Sequence, residues 1–387
     1  SISNYAKSDS EILADYSSLS QPYDVTPCQM SKPISTGNVK LSCSGLTVNN
    51  KKFTIKGVGY QPMPIGKDAS DNVEVNAWPK ENPKPKFDFE SKHYHDLMIS
   101  LDIVDTEKAA KNSGSRFYYL KNEGAVLQFA LMNFGFFKLI EKGFKPMITP
   151  SLLKYRPLYG TGYFPSETTQ VYKICDEEKL EEKEALYLAG TSEQAIVSYH
   201  ADETIEIDDD HPLKYVGYSE CFRSEAGSWG KDTKGIKRVH EFAKVEMIYF
   251  TTPETSEKYM REALSFEEEI LQELKLPYHV IDMCTGDVGL ATYRKFDTEV
   301  WLPSLGEYCE TMSNSDLASY HTRRLNIKYF DKKTGQKKYA HTISATGITN
   351  TRPILAIVDN YQKQDGSVVI PEALQKYTGF DKIISKK

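Results

Sequence analysis

Two segments that alternate between apolar and polar residues constrain the fold of this chain more than any other feature. They read LKYVGYSECFRSE (213–225) and RVHEFAKVEMIYF (238–250), and a basic, Gly-containing stretch, GSWGKDTKG, lies between them. Alternation with a period of two residues is typical of β-strands, whose side chains point to opposite faces in turn. A connection of about ten residues fits a hairpin with a long loop. The sequence therefore predicts an antiparallel hairpin within a mixed α and β region.

The spacing of polar residues predicts a ligand site on one face of this hairpin. Arg223 and Glu225 lie two residues apart, and the second strand adds, at even spacing, Arg238, His240, Phe242 and Glu246. Guanidinium groups suit bidentate contact with phosphate, a Phe ring can stack on a flat base, and a carboxylate can hold an ammonium group. Spacing alone leaves one alternative open, which is a cross-strand ladder of surface ion pairs.

The flanking segments predict two long helices and a short strand. GAVLQFALMNFGFFKLIEKG is apolar all round, which predicts a helix over 124–142 that is buried on most faces or lies at a dimer contact. FKPMITP then predicts a short strand that ends at Pro150. A second helix, over 253–274, is amphipathic, with an acidic face that we expect to be solvated.

Composition and charge exclude several classes of protein. The net charge of −6 and a pI near 5.9 argue against a protein that coats nucleic acid by bulk electrostatics. The six cysteines include no CxxC pair, so we expect reduced thiols rather than a zinc site or a disulfide framework. We find no run of the roughly 18 apolar residues that a membrane-spanning helix needs. The first residue is Ser, which predicts processing or a start inside a longer product.

Several blocks of sequence together resemble one enzyme family. FRSEAGSWGKDTKGIKRVHEFAKVE resembles motif 2 of the class II aminoacyl-tRNA synthetases, in the form found in seryl-tRNA synthetases. The apolar helix with KGFKPMITPSLL resembles motif 1, and ALYLAGTSEQAI resembles the Thr-x-Glu substrate loop. ETMSNSDLASYHTRRLNIKY and HTISATGITNTRPILAIVDNYQ resemble the motif 3 region. These blocks occur in family order over roughly residues 62–380.

The resemblance implies an α+β fold, a class II synthetase core in which helices flank an antiparallel sheet. It also implies an ATP-dependent, AMP-forming serine–tRNA ligase that uses Mg²⁺, acts on tRNA(Ser) and forms a homodimer through the motif 1 helix and strand. We expect a short N-terminal module over 1–58, a linker over 59–86 and the catalytic domain over 87–387. The expected compartment is the cytoplasm, with a mitochondrial or other organelle matrix as the alternative.

The resemblance assigns three groups of site residues. Arg223 and Arg352 are the catalytic residues that it implies. The residues implied to bind ATP are Arg223, Ser224, Glu225, Val239, Phe242, Glu310, Thr311, Met312, Ser313 and Arg352. The residues implied to bind serine are Thr191, Ser192, Glu193, Glu246 and Thr346. Glu310 and Ser313 are implied to hold the metal ion.

This chain departs from the family pattern at several positions. Ser344 stands where the family usually has Asn, and His321 stands where Gln is common. The stretch that is commonly Cys-Ser-Asn-Cys in the family reads Asn314-Ser315-Asp316-Leu317 here, and Glu241 stands where the family often has Gln. The family also begins with a long helical arm, whereas here fewer than sixty residues precede the matching segment. We therefore expect a strand-rich or irregular module in place of the arm.

Two alternatives to serine–tRNA ligation follow from that difference at the N-terminus. An armless synthetase-like enzyme could pass an aminoacyl group to a different acceptor, such as a carrier protein. A catalytically retired paralogue could serve as a structural or interaction subunit. The full set of phosphate and adenine residues argues against retirement, because a scaffold has no physical need for them.

Overall fold

The structure of the protein is a computed structural model that describes residues 68–174, 185–226 and 235–385, together with the backbone of four strands between residues 34 and 53. The chain divides into two compact units, 1–62 and 63–387, which we describe separately. All but the last residue of the basic hairpin loop GSWGKDTKG lies outside the described residues.

The N-terminal unit contains a small antiparallel sheet. Its four strands pair in chain order and are β1 (Ile34–Thr36), β2 (Val39–Ser42), β3 (Gly45–Val48) and β4 (Lys51–Phe53). β3 and β4 pair antiparallel, with Val48 opposite Lys51. The expectation of short strands in this segment is confirmed.

The larger unit is built on one eight-stranded sheet with smaller sheets around it. Its strands are β5 (Val73–Trp78), β6 (Val104–Asp105), β7 (Tyr119–Leu120), β8 (Lys145–Ile148), β9 (Leu152–Leu153), β10 (Lys173–Ile174), β11 (Leu186–Leu188), β12 (Thr204–Ile205), β13 (Leu213–Phe222), β14 (Glu241–Thr251), β15 (Tyr278–Asp282), β16 (Arg294–Leu302), β17 (Glu307–Asp316), β18 (Lys328–Asp331), β19 (Gln336–Tyr339), β20 (His341–Thr349), β21 (Val368–Val369) and β22 (Lys382–Ile383).

Helices cover the sheet. In the described residues they are α1 (Tyr94–Ser100), α2 (Thr106–Ser113), α3 (Glu123–Glu141), α4 (Tyr155–Gly160), α5 (Ser192–Tyr199), α6 (Ser256–Glu273), α7 (Tyr320–Leu325), α8 (Thr351–Asn360) and α9 (Glu372–Thr378). α3 and α6 confirm the two long helices that the sequence predicts, and the short strand after the first of them is β8.

The large sheet has the order β5-β15-β16-β17-β20-β14-β13-β8, and only β8 runs parallel to its neighbour. β13 and β14 form the predicted antiparallel hairpin, with ten residue pairs in register from Leu213–Phe250 to Phe222–Glu241. The predicted α+β class with an antiparallel sheet is therefore confirmed. β5 pairs with β15 and lies within residues 59–86, the segment for which we predict a linker.

Two irregularities in strand pairing decide which side chains share a face. Between β16 and β17 the register skips Thr311, and between β14 and β20 it skips Gly347. A residue without a partner opposite it shifts the alternation of every side chain beyond it. Residues three positions apart, such as Glu310 and Ser313, can therefore face the same side of the sheet.

The apolar helix α3 lies in the core of the larger unit. Leu127, Leu131, Phe134 and Leu139 are buried in the main hydrophobic cluster, which also contains the buried face of α6. By length and hydropathy alone, α3 is the one helix of the described residues that could cross a membrane. Its packing against the sheet is that of a core helix.

Candidate active site

The end of the β13–β14 hairpin differs in one respect from the sequence prediction. β13 ends at Phe222 and β14 begins at Glu241, so Arg223 and His240 lie just beyond the strands. The backbone N–H of Arg223 donates to the His240 carbonyl at 2.9 Å, and His240 Nδ1 lies 2.9 Å from the Arg223 carbonyl. The imidazole also contacts Tyr172 and does not line the site. The prediction that His240 shares a functional face with Phe242 is therefore wrong.

One cavity of about 450 Å³ opens over the middle of the large sheet. Most of the residues that the resemblance implied line it: Arg223, Glu225, Val239, Phe242, Glu310, Thr311, Met312, Ser313, Arg352, Thr191, Glu193, Glu246 and Thr346. The strands and loops thus bring together residues from four separate blocks of sequence. Cations dominate one end of this cavity and carboxylates the other, and we call these the nucleotide end and the amino-acid end after the roles that the family resemblance implies.

Two of the implied residues do not line the cavity. Ser224 is turned away, and its hydroxyl donates to the backbone carbonyl of Thr169. Ser192 is fully buried in the first turn of α5, where its side chain faces Gly217. A Cβ at Gly217 would lie 3.0 Å from Ser192 Oγ, so close packing explains the small residue there.

At the nucleotide end, two arginines are held by backbone carbonyls. Arg352 donates from NH1 to the Glu310 carbonyl at 2.8 Å and from Nε to the Lys237 carbonyl at 3.2 Å. Arg223 donates from Nε to the Gly190 carbonyl at 3.4 Å, and its guanidinium carbon lies 5.2 Å from the centre of the Phe242 ring. These contacts leave other guanidinium N–H groups for a ligand with several oxygens.

Glu225 and Arg238 form an ion pair at the rim of this end, with 2.7 Å between NH1 and Oε2. Glu225 has a positive φ of 51°, so its backbone leaves the strand direction directly after Arg223. The even spacing of Arg223 and Glu225 therefore does not place them on one regular strand, although both reach the same cavity.

A second group of charges lies deeper at the nucleotide end. Lys295 donates to Asp297 Oδ2 at 2.8 Å, and Arg352 NH1 lies 3.3 Å from Glu310 Oε2. Burial, together with the Glu310 charge, raises the pKa of Asp297 to about 7. Burial also opposes ionisation of Glu310, but Arg352 and Lys295 outweigh it and lower its pKa. Glu310 is consequently the ionised carboxylate of this pair.

At the amino-acid end, the buried carboxylates are linked through side chains. Thr191 begins α5 as its N-cap and accepts from the Glu193 N–H at 3.3 Å, while its hydroxyl donates to Glu246 Oε2 at 2.9 Å. Lys244 forms an ion pair with the same Glu246 oxygen. The Ser344 hydroxyl lies 2.9 Å from Glu193 Oε2 and 3.0 Å from Glu246 Oε1, so it bridges the two carboxylates.

Glu193 has an unusual electrostatic environment. Burial and the nearby Glu246 charge raise the pKa of Glu193 to about 7, against the smaller opposing effects of Lys244, Ser344 and Arg223. His321 Nε2 lies 3.2 Å from Glu193 Oε1. Burial lowers the pKa of His321 to about 3, so the imidazole beside Glu193 is neutral at physiological pH.

The cavity-lining side chains that were not assigned to the site from the sequence include Lys244, Lys295, Tyr163 and His321. Lys244 could have been found, because it lies midway between Phe242 and Glu246 on a strand and so shares their face. The other three come from a loop, from β16 and from α7, and no local pattern marks them.

The fold and this cavity define a class of enzyme. An antiparallel sheet with arginines from a hairpin and from the start of a helix is the arrangement expected of a class II aminoacyl-tRNA synthetase core. The family model described as "tRNA synthetase class II core domain (G, H, P, S and T)" matches residues 172–361.

The relatives narrow this class to one family. The serine–tRNA ligase of Treponema denticola is 43% identical over 332 residues, which span 85% of this chain and 76% of that protein. The crystal structure of seryl-tRNA synthetase from Pyrococcus horikoshii, complexed with ATP, superposes with a TM-score of 0.78 at 39% identity and covers 85% of this chain and 75% of the other. The crystal structure of the cytoplasmic serine–tRNA ligase from Naegleria fowleri, in complex with AMP, superposes with a TM-score of 0.78 at 32% identity. This match covers 86% of this chain and 77% of the other. The chain belongs to the seryl-tRNA synthetase family, the serine–tRNA ligases.

Proposed function

We propose that this chain activates serine with ATP to give seryl-adenylate and pyrophosphate, and then transfers the seryl group to tRNA(Ser). The observation that carries the proposal is the division of one cavity into a cationic end and a carboxylate end. ATP supplies negative charge for the first end and serine supplies an ammonium group for the second. The reacting atoms, the serine carboxylate and the α-phosphorus, would then meet between them.

At the nucleotide end, Arg223 would contact the α-phosphate, where negative charge develops as the serine carboxylate attacks. Phe242 would stack under the adenine ring, and Glu225 would accept from its exocyclic amine. Arg352 would bind the other end of the triphosphate. The backbone contacts of the two arginines support these roles, because they fix each guanidinium before ATP arrives.

Glu310 and Ser313 fit the requirements of a Mg²⁺ ion. Both are oxygen donors, which hard cations prefer, and the skipped register at Thr311 allows both to line the cavity. When bound there, Mg²⁺ would neutralise part of the phosphate charge. The low pKa of Glu310 supports this role, because a ligand carboxylate must be ionised.

At the amino-acid end, Glu193 and Glu246 would hold the ammonium and hydroxyl groups of serine, with Thr191 and Thr346 beside them. A site that bonds a substrate hydroxyl rejects analogues that lack it, because its own polar groups are then left unpaired. Glu246 is 3% exposed, so an unpaired group at this position would be costly.

A homodimer is the assembly that the surface of the larger unit favours. Phe129 and Phe137 on α3 are 67% and 50% exposed, and Ile148 on the adjacent edge strand β8 is 83% exposed. Large apolar side chains grouped on a helix and a sheet edge are typical of an interface. We propose that a second copy covers them, and that the enzyme works in the cytoplasm or an organelle matrix.

Serine-dependent exchange between ATP and pyrophosphate tests the first step, and charging of total tRNA tests the second. Exchange with serine but no other amino acid, together with charged tRNA, is the expected result. Exchange without charging would contradict tRNA as the acceptor and favour a different one. A folded, Mg²⁺-supplied enzyme without any exchange would leave the retired subunit as the better explanation.

A further inference from the structure

The hydrogen count around the Ser344 hydroxyl does not balance if both neighbouring carboxyl groups are ionised. Ser344 Oγ lies within hydrogen-bond distance of Glu193 Oε2 and Glu246 Oε1, at 2.9 and 3.0 Å. A hydroxyl has one hydrogen to donate, and an ionised carboxylate can only accept. If Ser344 donates to one carboxylate, the other contact requires a proton on the second carboxyl group.

The position of Lys244 decides which carboxyl group carries that proton. Lys244 and the Thr191 hydroxyl both contact Glu246 Oε2, so Glu246 is stabilised as the charged partner. Glu193 has no ion pair with a lysine or arginine among the described residues. A consistent chain of donors therefore runs from the Glu193 carboxyl group to Ser344 and from Ser344 to the Glu246 carboxylate.

His321 completes this arrangement from the opposite side of Glu193. Its Nδ1 lies 3.0 Å from the Thr342 hydroxyl, and its Nε2 lies 3.2 Å from Glu193 Oε1. Nε2 is buried and has no hydrogen-bond partner of good geometry in the described part of the chain. If Thr342 donates to Nδ1, the remaining hydrogen of the neutral ring is on Nε2 and faces the carbonyl oxygen of a protonated Glu193.

We infer that Glu193 is protonated in the free site, that Ser344 and His321 are positioning residues that orient its carboxyl group, and that binding of the amino acid releases this proton. The inference rests on the proposed function of the site. The ammonium group of serine needs a carboxylate, so Glu193–COOH loses its proton to the solvent as Glu193–COO⁻ pairs with the incoming –NH₃⁺. Charge and hydrogen balance, because one proton leaves for each serine bound.

The charged surroundings of Glu193 agree with this inference. Glu246 faces it from β14 and favours the protonated form, while Lys244 on the same strand and Arg223 beyond β13 oppose it. Tyr163 and His321 face it as neutral groups, and Arg324 beside His321 also disfavours a charged imidazole. The net effect is the raised pKa of Glu193, about 7, which is close to physiological pH.

The affinity for serine should fall as the pH is lowered. Below the pKa of Glu193, the binding-competent, ionised form is a minority, and the apparent affinity for serine falls in proportion to it. We expect the Kd of L-serine to rise about fivefold between pH 7 and pH 6 and to level off above about pH 8. The serine ammonium group itself stays protonated across this range.

The test is calorimetric titration of the purified enzyme with L-serine in two buffers of different ionisation enthalpy, at several pH values. Close to one proton released per site at pH 6, declining towards zero at pH 8, is the expected result. Glu193→Gln should abolish the release while ATP binding, measured in the same samples, stays intact. No release at pH 6 with normal serine binding, or undiminished release in Glu193→Gln, would overturn the inference.

Variants of the two positioning residues sharpen the test. Ser344→Ala removes a hydrogen bond that favours the charged form, so proton release should persist to higher pH. His321→Leu should also raise the pH at which proton release is half-maximal. His321→Gln, which retains an N–H donor, should return this midpoint to that of the parent enzyme. An unchanged midpoint in both Ser344→Ala and His321→Leu would contradict their role. Serine-dependent exchange at pH 8 is the separate check on the proposed function, because it requires no proton release.

Discussion

The two ends of the cavity hold their charged groups by different means. At the nucleotide end, Arg352 and Arg223 are fixed by backbone carbonyls of Glu310, Lys237 and Gly190. At the amino-acid end, side chains hold one another, and Ser344 joins the two carboxylates. Main-chain contacts survive the replacement of a neighbouring side chain, whereas mutual side-chain contacts do not. A substitution at the nucleotide end should therefore affect mainly the residue that is replaced. A substitution at the amino-acid end should also displace the side chains that are hydrogen-bonded to it.

The largest effect is expected at the nucleotide end. Arg223→Ala should reduce ATP–pyrophosphate exchange by about a hundred- to a thousandfold, because it removes a group that stabilises transition-state charge. Circular dichroism and the melting temperature should stay near those of the parent enzyme. Arg156→Ala, at a side chain that is 53% exposed in a surface ion pair, is the matched control and should retain full exchange. Survival of exchange in Arg223→Ala would remove Arg223 from the α-phosphate.

A smaller but more selective effect is expected from Glu246 at the other end. Glu246→Ala and the better-packed Glu246→Gln should weaken serine binding by about 10- to 100-fold, since hydrogen bonds to charged groups contribute about 1.5–3 kcal/mol. ATP affinity should change by less than about twofold, because the hydrogen bonds and the ion pair of Glu246 in the described part of the chain are with Thr191, Ser344 and Lys244 at the amino-acid end. Calorimetry with each ligand separately measures both. Equal loss of the two affinities would place Glu246 outside the amino-acid pocket.

Lys244 and Lys295, which line the cavity at its two ends, allow a direct comparison of the ends. Lys244→Met should weaken serine binding by about tenfold near neutral pH, because Lys244 lowers the pKa of Glu193, and the deficit should narrow as the pH rises. Lys295→Met should instead raise the KM for ATP by a similar factor and leave serine binding unchanged. Initial rates of exchange at several pH values, with each substrate varied in turn, distinguish the two. A deficit of Lys244→Met that does not depend on pH would argue against its electrostatic role.

The smallest expected effect concerns stability and the packing behind the amino-acid end. A Cβ at Gly347 would lie 2.6 Å from Leu139 Cδ1 and 3.1 Å from the Val245 carbonyl oxygen. Gly347→Ala should therefore lower the free energy of unfolding by about 1–3 kcal/mol and disturb Thr346. Gly289→Ala at the nucleotide end, where the nearest atom would be 3.9 Å away, is the matched control. Urea denaturation of both variants measures their free energies of unfolding. Equal stability would mean that Leu139 and Val245 move aside at little cost.

The hairpin and its neighbouring elements could be predicted from local patterns, because alternation and apolar periodicity are local properties. The positions of Arg223 and Phe242 in one cavity followed from the family resemblance together with this pattern. The side of the sheet on which an individual side chain lies could not be predicted from the same patterns. His240 was placed wrongly because β14 begins one residue after it, and Glu225 leaves the strand through a positive φ.

The network around Glu193 shows why the rest of the site could not be predicted from the sequence. Ser344 and His321 come from β20 and α7, and they contact Glu193 only because the fold brings distant segments together, close to the charge of Lys244 on β14. The sequence marks Ser344 and His321 as departures from a pattern but gives no sign that both contact one carboxyl group. Non-local pairing, including the skipped residues Thr311 and Gly347, depends on register rather than on composition.

The edge strand β5 has a consequence for how the enzyme is made. It is the first strand of the large sheet to leave the ribosome, but its pairing partner β15 follows about 200 residues later, with Trp78 opposite Tyr278. At translation rates of roughly 5–20 residues per second, β5 would wait on the order of 10–40 s for that partner. The β13–β14 hairpin closes locally within this interval, whereas β17 and β20, which lie between this hairpin and β16, are synthesised after β15. The two halves of the sheet are therefore joined last, at its centre, and the strand that was synthesised first stays open to chaperones for the longest time before it finds its partner.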